Sequence, residues 1–567
     1  MYLIESLKSN LAVALARASA TEIPPDALEY PELPENGDLA FPCFQLAKSL
    51  KQAPPKIAAE LAGKLDLPAD FERVEAKGPY LNFFLKKEAV IEQVSAEVDE
   101  HYGDRKPEKP EKVMIEYVSP NNNKPLHLGH VRNGLLGSAI ASLLESQGVQ
   151  VVRALLLNDR GLAIAKAMVA YIRWGEGRTP DDLGKKGDRY LGDLYVLYEK
   201  SAKTDESLEK DAHDIIRKWE EGDAETRKLW RTMSDWCEAG QHETYRRFGF
   251  LFDVEYKESE IYKEGKEIVE LGLAKGVFRK DETGAVIADL EAHGLPNKVV
   301  LRSDGTALYI TQDLHLAKKK FDEQGLDASV YVVADEQNLH FRQLFKILEL
   351  LGFPWAAKLR HLSYGLVALP EGRMKSREGT VVDADDLLSA LETDAAVEIR
   401  QRHLALSDDE TLRRARQVAL AAVKFYFLDV DIASGMIYDP KASLAFAGKT
   451  GPYLQYMHAR IRSLVRKSEE TEAEGEGREA KDEEFQLSLA LARFPEAVRR
   501  AATQLRPSLV AAQLYEIARA VAALYENVPV LNASKQDRAA RLRLLEAAAR
   551  ALKRGAHLLG FEVPEEM

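Results

Sequence analysis

The start of the chain alternates short apolar and polar stretches, which predict helices and strands in mixed order. Residues 11–16 are apolar, but Glu5 precedes them and Arg17 follows. We therefore expect an amphipathic helix of the folded protein there rather than a secretion signal. The polar, proline-containing run at residues 103–110 has no apolar periodicity and predicts a linker. An α+β domain is expected at residues 1–108.

The next segment has the pattern of a β-α-β unit. Residues 113–117 and 151–157 are strand-like apolar runs, and residues 129–147 between them repeat apolar positions with helical spacing. A strand, a helix and a second strand in close succession predict a parallel sheet. Strand patterns return at residues 329–334 and 361–367, where the same sheet is expected to resume. The predicted fold class is α/β.

Two further regions are mostly helical in pattern. Residues 171–295 are charged and interrupt the sheet, which predicts an inserted domain. From residue 408 onward the periodicity is helical almost throughout, except at the acidic residues 469–484, which predict a solvated loop. The predicted domains are an N-terminal domain at 1–108, the first half of the sheet domain at 109–170, the insertion at 171–295, the second half of the sheet domain at 296–407 and a helical domain at 408–567.

Composition narrows the class of protein. The 567 residues are 46% apolar and 30% charged, without an uninterrupted apolar stretch long enough for a membrane-spanning helix. The two cysteines, Cys43 and Cys237, are too few for a disulfide framework or a zinc site held mainly by thiolates, and they predict a cytoplasmic protein. The net charge of −13 argues against indiscriminate nucleic-acid binding, but it allows a local basic patch.

The sharpest candidate chemistry lies between the first predicted strand and helix. The segment Lys124-Pro-Leu-His127-Leu-Gly129-His130 opens the helix, where unpaired N–H groups and the positive end of the helix dipole favour a phosphate. Two imidazoles one turn apart can both donate hydrogen bonds to a triphosphate, and Gly129 lets a nucleotide approach the backbone. The plainer alternative is a pair of surface or capping histidines.

A second candidate is the run at residues 372–380. It carries Arg373, Lys375 and Arg377 between two glycines. Three cations in five residues on a glycine-flanked loop suit a clamp on a polyphosphate. Taken alone, the same pattern also fits a solvated basic turn.

Together the two motifs resemble the HIGH and KMSKS signatures of class I aminoacyl-tRNA synthetases. Residues 116–134, 304–313 and 450–460 narrow the resemblance to the arginyl-tRNA synthetases, and it extends from about residue 30 to the C-terminus. It implies a Rossmann-type parallel-sheet catalytic domain with a helical insertion. It also implies an α+β N-terminal domain that binds the tRNA elbow and an all-α C-terminal anticodon-binding bundle.

The implied reaction joins arginine to tRNA(Arg) through arginyl-adenylate, with ATP and Mg²⁺ and without zinc. The implied partners are tRNA(Arg), L-arginine and ATP, and we expect a monomer with no membrane association. A catalytically impaired paralogue that acts as a tRNA-binding protein is the alternative. A simple nucleotidyltransferase would not need the added N- and C-terminal domains.

The family pattern also implies roles for individual residues. Catalytic roles fall on His127, His130, Lys124, Arg373 and Lys375. ATP contacts fall on His127, Gly129, His130, Met374, Ser376 and Arg377. Contacts with the arginine guanidinium fall on Glu258, Tyr309 and Asp313, and those with its α-amino and carboxylate groups on Glu116, Asn121 and Gln337. Contacts with tRNA fall on Tyr80, Asn82, Tyr453, Arg460 and Met567. Tyr309 and Asp313 are four residues apart, so in a helix they would share one face.

The chain departs from the family pattern at two places. The family often has Asp-Trp-Gly-x-Gln after the second strand, and residues 159–163 here read Asp-Arg-Gly-Leu-Ala. In the second signature Arg373 stands at the first lysine, Lys375 at the serine and Ser376 at the second lysine. Lys124, three residues before the first histidine, is expected to compensate.

Positive charge is concentrated near the C-terminus. Residues 449–467 carry five basic and no acidic residues, and residues 485–567 carry 12 basic and eight acidic ones. Within a chain of negative net charge, this excess predicts a local surface for tRNA phosphates.

Overall fold

The computed structural model describes residues 1–305, 307–370, 382–402, 406–469 and 478–567. The predicted signature-loop residues Arg373, Met374, Lys375, Ser376 and Arg377 lie outside these ranges.

The N-terminal domain is α+β. Its elements are α1 (Leu3–Ser19), β1 (Leu39–Pro42), α2 (Ala47–Leu50), α3 (Pro54–Lys64), β2 (Phe71–Lys77), β3 (Tyr80–Leu85) and α4 (Lys87–Glu97). The three strands form an antiparallel sheet in the order β1-β3-β2. Leu81 and Phe83 of β3 are fully buried in the core, so Tyr80 and Asn82 lie on the opposite face of the strand.

The central part of the chain alternates strands and helices. In chain order these are β4 (Lys112–Glu116), α5 (Leu128–Ser146), β5 (Gln150–Leu157), α6 (Leu162–Trp174), α7 (Gly187–Ser201), α8 (Ser207–Glu221), α9 (Ala224–Phe248), β6 (Val254–Lys257), α10 (Glu258–Ile261), α11 (Lys266–Ala274), β7 (Phe278–Lys280), β8 (Val286–Ala288), β9 (Lys298–Leu301), α12 (Tyr309–Gln324), β10 (Ala328–Ala334), α13 (Asn338–Leu350), β11 (Leu359–Tyr364), β12 (Val367–Ala368) and α14 (Ala384–Arg402).

The predicted parallel sheet is confirmed. Its five strands are ordered β11-β10-β4-β5-β6, and all neighbours are parallel. The inner strands are long apolar runs because helices cover both faces of a parallel sheet. The chain leaves β4 toward β5 and β6 and later returns to β10 on the other side of β4. A crevice forms at the carboxyl ends of the strands where the order reverses, and ligands bind there in open α/β sheets.

The predicted insertion at residues 171–295 needs a correction at its C-terminal part. Strand β6 lies inside that range, yet it pairs with β5 in the central sheet. It is a four-residue edge strand with Tyr256 buried and Glu255 exposed, so no continuous apolar run marks it in the sequence. Helices α7 to α9 are therefore the part that interrupts the sheet, and β7, β8 and β9 form a separate antiparallel sheet after β6.

The C-terminal part is a helical bundle, as its periodicity predicts. Its elements are α15 (Asp408–Asp429), β13 (Met436–Ile437), α16 (Pro440–Ser443), α17 (Gly451–Glu469), α18 (Asp482–Ala492), α19 (Phe494–Gln504), α20 (Ser508–Asn527) and α21 (Lys535–Leu558). The acidic residues 482–484 of the predicted loop form the first turn of α18, where negative charge favours the helix dipole. Among the helices described, none has the length and apolar character needed to cross a membrane.

Arg132 ties helix α5 to the C-terminal part of the chain. It is fully buried, and its guanidinium donates to the carbonyls of Gly365 at 2.6 Å and Ser434 at 2.9 Å. A buried guanidinium must have its donors satisfied. These bonds therefore fix the segments after β11 and α15 against the helix that begins at the histidine motif.

Candidate active site

The loop from β4 to α5 has an unusual backbone. Val118 and Ser119 have positive φ angles of 68° and 38°. A β-branched residue rarely adopts this region, which costs about 1–2 kcal/mol per residue. Asn133 of α5 holds the loop in place, because its side-chain Oδ1 accepts from the Val118 N–H at 2.6 Å and its Nδ2 donates to the Val332 carbonyl at 2.7 Å. The loop, α5 and β10 are thus fixed together at the carboxyl edge of the sheet.

His127 and His130 lie at the N-terminus of α5. His127 is the N-cap residue, and its Nδ1 accepts from the N–H of Gly129 at 3.1 Å. Nδ1 of His130 accepts from the N–H of His127 at 3.2 Å, and the two ring centroids are 3.9 Å apart. A Cβ at Gly129 would come within 3.0 Å of Cε1 of His127. The glycine therefore makes room for the first imidazole.

Both imidazoles are neutral at neutral pH. Burial, assisted by the Lys124 ammonium, lowers the pKa of His127 to about 4. Burial also lowers the pKa of His130 well below its ordinary value, with His127 and Lys124 adding to the effect. Because each Nδ1 accepts a backbone N–H, each ring carries its proton on Nε2. The pair offers two Nε2–H donors beside a helix N-terminus, an arrangement that suits phosphate oxygens.

A cleft of about 290 Å³ opens beside the first histidine. Its walls include residues 124–127 and Arg189 of α7, whose guanidinium lies 3.2 Å from Asp383 and 2.6 Å from Asp386. Asp383 also forms a β-bridge with His127. Asp383 follows the second signature motif in the chain, and in the fold it lies beside the first motif at His127. The predicted phosphate contacts of residues 373–377 stay predictions.

Glu258 and Asp313 lie close to one another in a second part of the site. Glu258 follows β6 directly and is 7% exposed. Burial raises the pKa of its carboxyl group to about 7; Arg160 opposes the rise, and Asp159 and Asp313 add to it. The structure therefore brings together two of the three residues that the family pattern assigns to the guanidinium.

Each of three predicted arginine-binding carboxylates lies beside a basic side chain of the chain itself. The pairs are Glu116 with Lys320, Glu258 with Arg160 and Asp313 with His340. Burial would lower the pKa of Lys320, but the neighbouring Glu116 carboxylate outweighs burial and raises it. Nε2 of His340 lies 2.7 Å from Oδ2 of Asp313.

The other three predicted arginine contacts are exposed. Tyr309 is 70% exposed and begins α12, the helix that also carries Asp313. Asn121 and Gln337 are exposed in the loops after β4 and β10, at the carboxyl edge of the sheet. In the part of the chain that the structure describes, no three His, Cys, Asp or Glu side chains are grouped so as to hold a metal ion.

No role was assigned from the sequence to two basic residues beside these carboxylates, Lys320 and Arg160. Lys320 ends a run of three lysines, which reads as exposed, but it is three residues after the buried Ala317 and so falls on the buried face of α12. The helical spacing between buried positions was the signal that could have placed Lys320 on the buried face. Arg160 was noted as a departure from the family pattern, without a role.

The candidate tRNA contacts of the N-terminal domain differ in exposure. Tyr80 is half-buried and packs edge-on against Phe44, with ring centroids 5.7 Å apart, and Phe44 is 48% exposed. Asn82 is buried in the sheet. Tyr80 is therefore the better placed of the two predicted residues to contact an external base.

The candidate contacts of the C-terminal bundle lie beside aromatic rings. The Arg460 guanidinium is 3.5 Å from the centroid of Tyr525, and the ring of Tyr453 is 6.0 Å from that of Tyr515. These side-chain contacts connect α17 with α20. Met567 is half-buried and packs against the cluster around Ile399.

Part of the predicted basic surface is neutralised within the chain. Ion pairs of this region include Lys449 with Asp429 at 2.5 Å, Arg462 with Glu565 at 2.6 Å and Arg466 with Glu566 at 3.5 Å. Two of these pairs connect α17 with the acidic C-terminal tail.

A parallel sheet with two neutral histidines at the first crossover helix, followed by a helical bundle, defines a class I aminoacyl-tRNA synthetase. Comparison with known families agrees with this class. The family described as "tRNA synthetases class I (R), catalytic domain" matches residues 92–439. The "Arginyl tRNA synthetase N terminal domain" matches residues 5–85, and the "DALR anticodon binding domain" matches residues 454–567.

Individual relatives agree with the family match. The chain is 41% identical to an arginine–tRNA ligase of Treponema pallidum over 559 residues, which cover 95% of this chain and 94% of the relative. It is 41% identical to one of Bacteroides fragilis over 560 residues, with 94% of both chains covered. The structure resembles that of Thermus thermophilus arginyl-tRNA synthetase with a TM-score of 0.83 and 28% identity, covering 99% of this chain and 100% of the other.

The chain belongs to the arginyl-tRNA synthetase family, and its activity is that of an arginine–tRNA ligase. The predicted family and fold class are thereby confirmed.

Glu258→Gln is expected to stabilise the protein above pH 7 and to have little effect below pH 5. The pKa of about 7 in the folded state exceeds the value near ~4.3 of an exposed glutamate. The stability that this difference provides at low pH is lost as pH rises through that window. Glutamine does not ionise and escapes the loss. The variant's gain in free energy of unfolding should grow by about 2–3 kcal/mol between pH 5 and pH 8.

The control for this measurement is Glu260→Gln, which changes an exposed carboxylate on the same helix. Its effect on denaturant unfolding should not vary over the same pH range. A Glu258→Gln difference that is equally flat would contradict the raised pKa.

Proposed function

We propose that the cleft at His127 and the pocket at Glu258 together catalyse the two steps of arginine–tRNA ligation. In the first step, a carboxylate oxygen of arginine attacks the α-phosphorus of ATP, the bond to the bridging oxygen breaks, and pyrophosphate leaves. In the second step, a ribose hydroxyl at the 3′ end of the tRNA attacks the activated carbonyl carbon, and AMP leaves. Positioning and charge stabilisation supply the catalysis of such transfers.

The observation that carries this proposal is the meeting of two opposite kinds of site at one edge of the sheet. The helix N-terminus with His127 and His130 suits an anion, and the pocket of buried carboxylates at Glu258 suits a cation. ATP and arginine bring these two charges. The carboxyl ends of β4 and β6 hold the two sites on neighbouring parts of one rigid sheet.

In the first step, His127 and His130 donate from Nε2 to phosphate oxygens as negative charge moves to the leaving pyrophosphate. Lys124 adds positive charge at the same place, since its ammonium lies near enough to lower the pKa of both imidazoles. Further ATP contacts are proposed for Gly129, Arg373, Met374, Lys375, Ser376 and Arg377. Mg²⁺ brought by ATP would supply further positive charge beside the phosphates.

Arginine is recognised by a fork of carboxylates. A planar guanidinium donates in two directions at once, which an ammonium cannot match. We assign Glu258, Asp313 and Tyr309 to this group. Glu116, Asn121 and Gln337 are assigned to the α-amino and carboxylate end of the amino acid.

The tRNA contacts Tyr80 and Asn82 of the N-terminal domain at its elbow and α17 of the bundle at its anticodon. Tyr453 and Arg460 provide ring and cation surfaces for unpaired bases, with Met567 nearby. We propose a cytoplasmic monomer. The alternative of a catalytically impaired paralogue has no support among the described residues.

Lys124→Ala is expected to lower kcat of tRNA-dependent ATP–pyrophosphate exchange by roughly 10²–10³, because it removes a charge that acts mainly in the transition state. The KM for arginine should change little. Lys375→Ala should have a smaller effect on kcat. The control is Lys185→Ala, which breaks the 2.7 Å pair of an exposed lysine with Asp193 of the cleft wall. Normal kcat in Lys124→Ala with a loss in Lys375→Ala would give the role to the loop lysine.

Asp313→Asn is expected to raise the KM for arginine by about 30-fold or more, since loss of one partner of a desolvated charge pair costs about 2–5 kcal/mol. The KM for ATP should stay near that of the parent. Asp322→Asn, on the same helix and paired with Lys318 on the surface, is the matched control in the charging assay. An unchanged arginine KM would remove Asp313 from the pocket.

Arg460→Met is expected to weaken tRNA binding roughly tenfold and to reduce the slope of log affinity against log salt by about one. Arginine and ATP constants should not change. Arg519→Met, on α20 and 60% exposed, serves as the control for a general loss of charge. Equal tRNA affinity and salt slope in Arg460→Met and the parent would show that this face does not contact tRNA.

A further inference from the structure

We propose that Arg160 is an internal competitor of the substrate. Its guanidinium, hydrogen-bonded to Glu220, also faces Glu258 at 3.8 Å while the pocket is empty, and it moves away from Glu258 when arginine binds. This exchange would make Arg160 a residue that sets the affinity of the ligase for arginine. The inference rests on the proposed role of Glu258 as a partner of the substrate guanidinium.

The backbone of Arg160 is held beside the helix that carries Glu258. It lies in the loop between β5 and α6, and its neighbour Asp159 accepts from the N–H of Ser259 at 2.8 Å and from its hydroxyl at 2.6 Å. Ser259 follows Glu258 on α10. The loop that carries Arg160 is thus bound to the helix that carries its acidic partner, and only the side chain of Arg160 is left to move.

The guanidinium of Arg160 lies between two carboxylates that hold it unequally. One Nη atom is 2.5 Å from Oε1 of Glu220 on α8, whereas the other is 3.8 Å from Oε1 of Glu258. The first is a direct hydrogen bond and the second is beyond that range. The guanidinium also lies 4.3 Å from the ring centroid of Tyr262 and 5.6 Å from that of Trp219. Its looser contact is the one that faces the substrate pocket.

Two buried polar atoms beside Glu258 have no hydrogen-bond partner among the described residues. They are Nε of Arg160 and the hydroxyl of Tyr262. Buried polar atoms are almost always satisfied by protein, water or a ligand. A substrate guanidinium, with five N–H donors, could bond both Glu258 and the Tyr262 hydroxyl. The unsatisfied Tyr262 hydroxyl, whose ring lies under the Arg160 guanidinium, therefore indicates a place for a hydrogen-bond donor next to Arg160.

The structure offers Arg160 a way to withdraw. A cavity of about 20 Å³ adjoins its side chain, between α6 and α8 and next to Trp219 and Trp230. This is space for a small shift of the side chain, about that of one water. The carboxylate of Glu220 is 46% exposed and can follow the guanidinium while keeping the bond. Arg160 therefore stays neutralised on either side of the exchange.

The exchange has an electrostatic reason. Glu258 is buried and lies near Asp159 and Asp313, which raise its pKa, whereas Arg160 lowers it. The Arg160 guanidinium opposes part of that rise, so it favours the charged form of Glu258 without cancelling the effect of burial. An arriving cation must then replace a guanidinium that is already in place. The cost of that displacement is the same for any cationic ligand, so it lowers the affinity for arginine and for lysine alike.

A supporting role for Arg160 makes the opposite prediction. If Arg160 only positioned Glu258, its removal would weaken arginine binding. If it competes with the substrate, Arg160→Met will strengthen binding. Glu220→Gln will weaken it, since Arg160 then has Glu258 as its remaining carboxylate partner.

The test is calorimetric titration of the full-length protein with L-arginine and, separately, with L-lysine. Arg160→Met should tighten arginine binding roughly two- to fivefold, the range for a weak ion pair, and should tighten lysine binding by a similar factor. Glu220→Gln should weaken arginine binding by a similar factor. Arg173→Met is the matched control, because it removes a 2.5 Å pair with Asp211 that also joins α6 to α8 but lies away from the pocket; it should leave both affinities unchanged.

Unchanged or weaker arginine binding in Arg160→Met overturns the proposal, and so does unchanged binding in Glu220→Gln. If Arg160→Met fails to fold by thermal unfolding, the exposed Glu220 position still decides the question. Glu258→Gln separates this proposal from the one it rests on. If that variant binds arginine normally, the pocket assignment itself is wrong. If it loses arginine binding while Arg160→Met gains none, only the competition is refuted.

Discussion

The left-handed backbone at Val118 and Ser119 determines where the histidine motif lies. It turns the chain out of β4 at the carboxyl edge of the sheet, so that the following loop crosses the end of β5 before α5 begins at His127. Such a conformation persists only where its surroundings fix it. Asn133 does so from within α5, because its amide bonds both the strained loop and β10. The helix that presents the histidines thus also holds the turn that places them.

Carboxylates lie at the same edge of the sheet, an arrangement that suits a cationic substrate. Within the fold, each of them lies beside a basic side chain. A buried carboxylate without a partner is costly, and it tends to take up a proton. Glu116 lies against the ammonium of the fully buried Lys320, whereas Glu258, whose cation is farther away, has its pKa raised to about 7. A carboxylate in a close internal pair therefore accepts a new partner less readily than one in a longer pair. The pair of Glu116 is close and buried, whereas the longer contact of Glu258 is the one that we propose a substrate can replace.

The sequence predicted those features that depend on local pattern. Apolar runs marked β4, β5 and β10, and the helix start at the histidine motif followed from its position after a strand. Strand β6 was not predicted, because an edge strand of four residues carries no continuous apolar run. The resemblance identified Glu258 and Asp313, but the cations beside them come from distant parts of the chain. Pairing between Glu116 and Lys320, 204 residues apart, is set by tertiary packing and cannot be read from spacing.

Charge counting along the sequence was least reliable at the C-terminus, for a physical reason. The five basic residues at 449–467 predict a surface for phosphates. In the folded chain the tail folds back along α17, and Gln455 and His458 bond the carbonyls of Glu562 and Pro564. These backbone bonds bring Glu565 to Arg462. Exposed pairs of this kind are weak, so a phosphate can replace the tail carboxylate at little cost. The net charge that α17 presents to a phosphate therefore depends on where the tail lies, as well as on the number of arginines.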